Sequence, residues 1–141
     1  MPPKIEYDLF AVLQASAIAQ FRQPVPFRLL SGLGIFPITK DDLSGAKPRF
    51  RYIPKRWPDL WQSFVKRNET PVAFDSTTIE SLGFCVTPPD DSRPSAIFSL
   101  AGHDGDYAIL HGEFFNHHAK LFLFQRGDDW TLLEEQLVWL T

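Results

Sequence analysis

The sequence predicts an α+β fold in which N-terminal amphipathic helices pack on a C-terminal antiparallel β-sheet of four or more strands. Two segments of the first half carry apolar residues at helical spacing, and the C-terminal third reads as consecutive strands joined by short turns. Hydrophobic residues make up 44% of the 141 residues, which is enough for one packed core. We therefore expect residues 1–141 to form a single α+β domain.

The first predicted helix runs from Ile5 to Phe21 and ends before Pro24, because proline restricts the residue that precedes it. The second runs from Trp57 to Asn68, with Pro58 suited to its first turn. Its apolar residues follow the i, i+3, i+4, i+7, i+8 pattern: Trp57, Leu60, Trp61, Phe64 and Val65. We expect the two helices to cover one face of the sheet.

The segments between and after these helices have weaker patterns. Pro26 to Ile38 favours a strand with a bulge, because glycines interrupt its apolar residues. Phe50 to Ile53 and Gly83 to Thr87 are predicted to be short strands, and the residues around Asp75 resemble a turn or helix cap.

The C-terminal third predicts an antiparallel meander. Its strands are expected at about Ser95 to Ala101, Asp106 to Phe115, Lys120 to Arg126 and Trp130 to Leu140. The expected turns are Asp104-Gly105, which is typical of a two-residue hairpin, then His117-His118, and then Gly127-Asp128-Asp129.

These turns give the meander registers that gather His111, Glu113 and Glu134 among apolar side chains on one face. The other residues expected there are Phe98, Leu100, Tyr107, Ile109, Phe122, Phe124 and Leu132. Burial of two carboxylates and an imidazole would favour general acid–base catalysis, so His111, Glu113 and Glu134 are the candidate catalytic residues. In the alternative arrangement the three lie at a wet edge, or a one-residue slip turns them to solvent.

Other polar residues offer weaker sites. His103 with Asp104 and Asp106 could ligate a metal, but turn chemistry explains them equally well. Cys85 lies between Phe84 and Val86, as a small core residue would, and no local signature indicates a nucleophile. We expect no cofactor and no metal site.

The net charge of the chain limits the classes of partner that it is expected to bind. The formal net charge of −3 argues against nucleic-acid binding. The one basic run, Lys47 to Arg56, suits either a phosphate or acidic-partner patch, or a solvated loop or edge strand. The sequence contains no apolar run of membrane-spanning length and no secretory signal pattern, so we expect no membrane association and a cytoplasmic location.

Four C-terminal segments carry a resemblance to other proteins. They are Gly112-Glu113-Phe114-Phe115, Leu121-Phe122-Leu123-Phe124, Asp129-Trp130-Thr131-Leu132 and Val138-Trp139-Leu140-Thr141. This chain resembles a loose group of small uncharacterised bacterial proteins that end in such a meander, closed by W-[IL]-[ST]. Helices followed by a long meander also resemble the NTF2-like fold, whose members include small-molecule isomerases, binding modules and immunity proteins.

Two functions follow as expectations. The first is a small non-enzymatic interaction protein with a protein partner, such as a bacterial immunity or regulatory protein, because no constellation of residues demands catalysis. The alternative is an NTF2-like small-ligand-binding protein or enzyme, with His111 and either Glu113 or Glu134 as acid and base in a pocket.

Overall fold

A computed structural model describes residues 3–16, 18, 24–32, 52–87, 95–115 and 117–140, which form an α+β structure around one mixed sheet. The helices are α1 (Ile5–Ala15), α2 (Tyr52–Arg56), α3 (Pro58–Arg67) and α4 (Ser76–Ser81). The strands are β1 (Pro26–Arg28), β2 (Cys85–Thr87), β3 (Ala96–Phe98), β4 (Gly102–His103), β5 (Tyr107–Phe114), β6 (His118–Arg126) and β7 (Trp130–Leu140).

The sheet has the order β2-β1-β3-β5-β6-β7, and β4 pairs with β5 beside β3. Strands β1, β2 and β3 run parallel to one another, whereas every pairing from β3 to β7 is antiparallel. The predicted antiparallel meander is therefore confirmed as one part of a larger mixed sheet. Short parallel strands from earlier in the chain extend it on the β3 side.

Helices cover both faces of this sheet, so the prediction that they share one face was wrong. On the first face, α1 buries Leu9, Phe10 and Leu13 against β1, β3 and the even-numbered residues of β5. On the second face, α2 and α3 bury Ile53, Leu60, Trp61 and Phe64 against Ile109, Leu121 and Leu123. The central strand β5 is consequently buried on both sides along almost its whole length.

The first face is packed mainly by phenylalanine. The ring of Phe98 lies 4.9 Å from that of Phe10 and 5.3 Å from that of Phe27, and Phe10 and Phe27 are 5.2 Å apart. Phe74 and Phe84 complete this cluster at comparable distances. Edge-to-face contacts of this kind add to the free energy gained by burying the rings, so α1 is fixed firmly against β1 and β3.

On the second face α3 lies almost in backbone contact with the sheet. A Cβ placed on Gly102 in β4 would come within 2.5 Å of Phe64 Cβ and 2.7 Å of the Leu60 carbonyl oxygen. Only glycine allows so close an approach. Gly102 is therefore a point of very close approach between α3 and the sheet.

The hairpin registers differ from those predicted. Phe98 pairs with Gly112 and Leu110 with Phe122, so Phe98, Phe122, Phe124 and Leu132 lie on the α1 face. Tyr107, Ile109, His111 and Glu113 lie on the α3 face. The prediction that all of these residues share one face is wrong for two reasons. The register shifts by one residue between β3 and β4, since Phe98 pairs with Gly112 but Gly102 pairs with Ile109. In the next turn three residues, instead of the expected two, separate Phe114 from His118.

The remaining predicted elements have mixed outcomes. The second predicted helix matches α3 to within one residue at each end, and Asp75 caps α4 by accepting a hydrogen bond from the Thr78 amide. Helix α1 ends at Ala15 and not at Phe21, and Tyr52 and Ile53 begin a helix where a strand was expected. The predicted strand residues 33–38 and the basic residues 47–51 lie outside the described residues.

Candidate functional site

His111 and Glu113 lie two residues apart on β5 and project to the α3 face. Both are completely buried. The backbone of His111 is held from the β3 side, since its amide donates to Ser99 Oγ at 2.9 Å and its carbonyl accepts from the Ser99 amide at 2.9 Å. The structure thus brings two of the three predicted acid–base residues together in the interior of the protein.

Glu134 lies elsewhere. It is opposite Leu123 on β7 and is exposed to solvent. Glu134 and His111 are two strands apart in the sheet and are also offset along the strand direction, so their Cα atoms are about 12 Å apart. Glu134 therefore does not join the other two in one cluster, and the catalytic role of all three residues stays a prediction.

A cluster of polar side chains closes the gap between β3 and β4. There Leu100 and Ala101 do not pair with β5. Asn68, at the end of α3, instead forms hydrogen bonds with both backbone polar groups of Leu100. Its Oδ1 accepts from the Leu100 amide at 2.8 Å, and its Nδ2 donates to the Leu100 carbonyl oxygen at 2.9 Å. Glu6 of α1 accepts from the Ala101 amide at 2.7 Å. These contacts replace the sheet hydrogen bonds that the interruption removes.

Glu6 also forms a buried ion pair with Arg67. Arg67 Nη1 lies 2.5 Å from Glu6 Oε2 and donates a second bond of 2.7 Å to the Ala101 carbonyl oxygen. The Glu6 side chain is fully buried, whereas 17% of the Arg67 side chain is exposed. The pair joins α1, α3 and the interrupted strand, and part of the Arg67 side chain remains at the surface.

Arg67 lines a groove of about 470 Å³, which we call the cationic groove. Its walls include Lys4, Ile5, Asp8, Arg67, Arg126 and Trp130. A neighbouring groove of about 510 Å³ shares Asp8, Arg126 and Trp130 with it, and another of about 490 Å³ shares Arg67 and His103. None of the three contains His111, Glu113 or Glu134.

Strand β7 forms one edge of the sheet. Nine of its eleven residues pair with β6 on one side, and Leu133 and Val138 are left unpaired at two register shifts. In the part of the chain that the structure describes no strand pairs with the other side. Leu133 and Leu137 are 52% and 53% exposed on this strand. These leucines leave apolar surface on the open edge, beside the exposed Glu134 and Glu135, which are charges of the kind that natural proteins use to limit unwanted edge pairing.

The turn between β5 and β6 holds two adjacent histidines. Nδ1 of His117 and Nδ1 of His118 are 2.9 Å apart, and the His118 ring stacks on Phe114 at 5.2 Å. Partial burial lowers the pKa of His118, and the nearby charges of Lys120 and His117 lower it further. His118 therefore prefers its neutral form more strongly than an exposed histidine does.

The weaker sequence candidates do not form sites within the described ranges. No group of three or more His, Cys, Asp or Glu side chains with metal-binding geometry occurs there, and Asp104 instead accepts hydrogen bonds from the amides of Asp106 and Tyr107 in the turn. Cys85 is exposed on β2 and is not the core residue expected. Among the same residues no helix has the length and apolarity needed to cross a membrane.

The most distinctive polar feature, the Glu6–Arg67 pair, was missed in the sequence because its two members are 61 residues apart. In the sequence, Glu6 lies on the polar side of the apolar stripe of the first predicted helix, a position that predicts a solvent-facing residue. Comparison of the chain with known protein families, curated proteins and solved structures found no match. Functional inference therefore depends on the geometry alone.

Proposed function

We propose that the protein is a non-enzymatic interaction protein that binds a protein partner by pairing one of the partner's strands with the open edge of β7. The observation that carries the proposal is the eleven-residue edge with its two exposed leucines. In this mode main-chain hydrogen bonds supply affinity and alternate side chains supply specificity. An immunity or regulatory protein acts by such binding and needs no catalytic residues.

The edge at β7 suits this role better than the opposite edge of the sheet. Strand β2 has three residues, Cys85–Thr87, and offers few main-chain groups to a partner. Strand β7 offers more than three times that length. In addition, β6 and the packed β5 hold β7 in place from behind, so little order must be gained on binding.

The charges of β7 indicate which kind of strand it accepts. Glu134 and Glu135 lie at its middle, between Leu133 and Leu137. In a symmetric antiparallel pair of two copies, these carboxylates would face one another, and like charges opposite each other destabilise a sheet. The charges therefore favour a different protein whose strand places basic residues between apolar ones, and they disfavour self-association.

A peptide selection tests the proposal. A displayed library of extended peptides is selected against the immobilised protein, and we expect the enriched peptides to alternate apolar and basic residues. Affinities are then measured by calorimetry. Leu137→Lys should weaken binding by about tenfold or more. The substitution removes a leucine contact that the bound peptide would bury, and it adds repulsion between the lysine and the basic residues of the peptide. Hydrogen exchange should show new protection along β7.

Leu30→Lys is the matched control, because Leu30 is also 53% exposed but lies far along the sheet beside Ala73. It should change the affinity by less than about twofold, since surface substitutions outside an interface have small effects. Equal losses in the two variants, protection outside β7, or a selection that enriches no alternating basic peptide would each refute the proposal.

A further inference from the structure

We propose that the cationic groove binds a small organic anion, with a carboxylate or phosphate group on Arg67 and Arg126 and an apolar, preferably aromatic, body against Trp130. Of the lining residues of this groove, only Trp130, the first residue of β7, belongs to the open edge strand. The groove would give an interaction protein a ligand of its own. The proposal depends on three features of the groove: a fixed guanidinium, an excess of cationic side chains and an apolar wall.

Arg67 is held ready for a ligand. Both of its hydrogen bonds in the described part of the chain are made by Nη1, to Glu6 Oε2 at 2.5 Å and to the Ala101 carbonyl oxygen at 2.7 Å. Its Nη2 and Nε hydrogens lie on the adjacent edge of the guanidinium, and two parallel N–H groups match a carboxylate or phosphate. Because Glu6 fixes the plane of the guanidinium, little side-chain entropy is lost when an anion binds.

The other charged groups of the groove favour an anion as well. Lys4 and Arg126 line it together with Arg67, and Asp8 is the carboxylate among its lining residues. The groove lies at the beginning of α1, where the helix dipole contributes positive potential. With the charge of Arg67 offset by Glu6, Lys4 and Arg126 still outnumber Asp8 among the lining residues, although the whole chain carries a formal net charge of −3.

The size and the apolar wall set the class of ligand. A volume of about 470 Å³ lies within the range of small-molecule sites, which runs from about 300 to 1,000 Å³. Ile5 and Trp130 provide apolar surface beside the charged groups, and both pack against the core of the α1 face. An inorganic anion would leave this surface uncovered, whereas an aromatic acid would cover it.

Binding is tested on the intact chain with four probes. Benzoate presents a carboxylate and phenyl phosphate presents a phosphate, each on a phenyl ring. Benzamide is a neutral counterpart of benzoate, and acetate is a carboxylate without the ring. Amide and indole signals are followed by ¹H–¹⁵N NMR during titration. We expect saturable shifts of Trp130 and its neighbours with benzoate or phenyl phosphate. Benzamide and acetate should bind about tenfold more weakly or not at all.

Two matched charge reversals locate the site. Arg126→Glu should weaken binding of the better probe by about tenfold, since it replaces a charge-assisted contact with repulsion. Arg28→Glu makes the same change of net charge on the exposed part of β1, outside the groove, and should alter binding by less than about twofold. Equal losses in the two variants, benzamide binding as tight as benzoate binding, or no saturable shift with either anion would overturn the proposal.

Discussion

Replacing Gly102 with alanine should separate α3 from the sheet. The added Cβ would lie 2.5 Å from Phe64 Cβ, 2.6 Å from the Phe64 amide nitrogen and 2.7 Å from the Leu60 carbonyl oxygen. Two of these three atoms belong to the backbone of α3, so no side-chain rotation can relieve the overlap. The helix must retreat as a unit, or β4 must leave β5.

The expected cost follows from the distances. A retreat of about 1 Å restores ordinary contact, but a gap of that size forfeits up to about half of the dispersion energy between facing atoms. Leu60, Trp61 and Phe64 would all lose part of their contact with the second face. Overpacked cores typically lose about 1 to 3 kcal/mol, and backbone overlap puts Gly102→Ala at about 3 kcal/mol.

Urea denaturation followed by tryptophan fluorescence measures this change in the free energy of unfolding. Gly127→Ala is the matched control, because a Cβ there would meet its nearest atom, the Asp129 carbonyl oxygen, at 3.7 Å. We expect the control to change stability by less than about 0.5 kcal/mol. A loss below about 1 kcal/mol for Gly102→Ala would show that α3 does not pack on β4 as described.

Two further substitutions test the polar contacts. Asn68→Asp removes the Nδ2 donor to the Leu100 and Phe64 carbonyl oxygens and should cost about 2 kcal/mol by the same assay; a neutral result would show that other groups hold the strand interruption. The pKa of His118 is lowered in the folded protein, so the unfolded chain binds the proton more readily. The free energy of unfolding should therefore fall as pH decreases through the ordinary histidine pKa of 6.5. It should level off below the pKa of His118 in the folded protein. His118→Gln should remove this dependence, which thermal unfolding across that pH range measures, and an unchanged slope would contradict the assignment.

The sequence allowed α3 and the last strand to be predicted closely, because turns and apolar runs are local signals. Strand β7 begins and ends at the predicted residues, and α3 differs by one residue at each end. The pairing registers of the strands were harder to predict from the sequence. Strand β5 has apolar residues at both odd and even positions and is buried on both faces, so alternation could not show which side chains face which helix.

Turn geometry then decided the faces. Phe115 adopts a φ of 58°, which is uncommon for a bulky residue, and it closes a three-residue loop where two were expected. One additional residue moves Phe122 and Phe124 to the face opposite His111 and Glu113. The phenylalanines expected around His111 and Glu113 therefore lie on the opposite face, and a local sequence pattern could not have revealed this.

The interrupted strand explains why the cationic groove should be studied through Arg126 and not through Arg67. Arg67 binds the buried carboxylate of Glu6 and the Ala101 carbonyl oxygen, so its removal would leave a buried charge without compensation, which typically costs about 3 to 5 kcal/mol. Loss of binding in such a variant would report unfolding as readily as a missing contact. Arg126 is exposed on β6 and lines the same groove, so its reversal changes the charge and leaves the core intact. The same reasoning separates the two proposals, since Leu137 lies outside the groove and Arg126 lies outside β7.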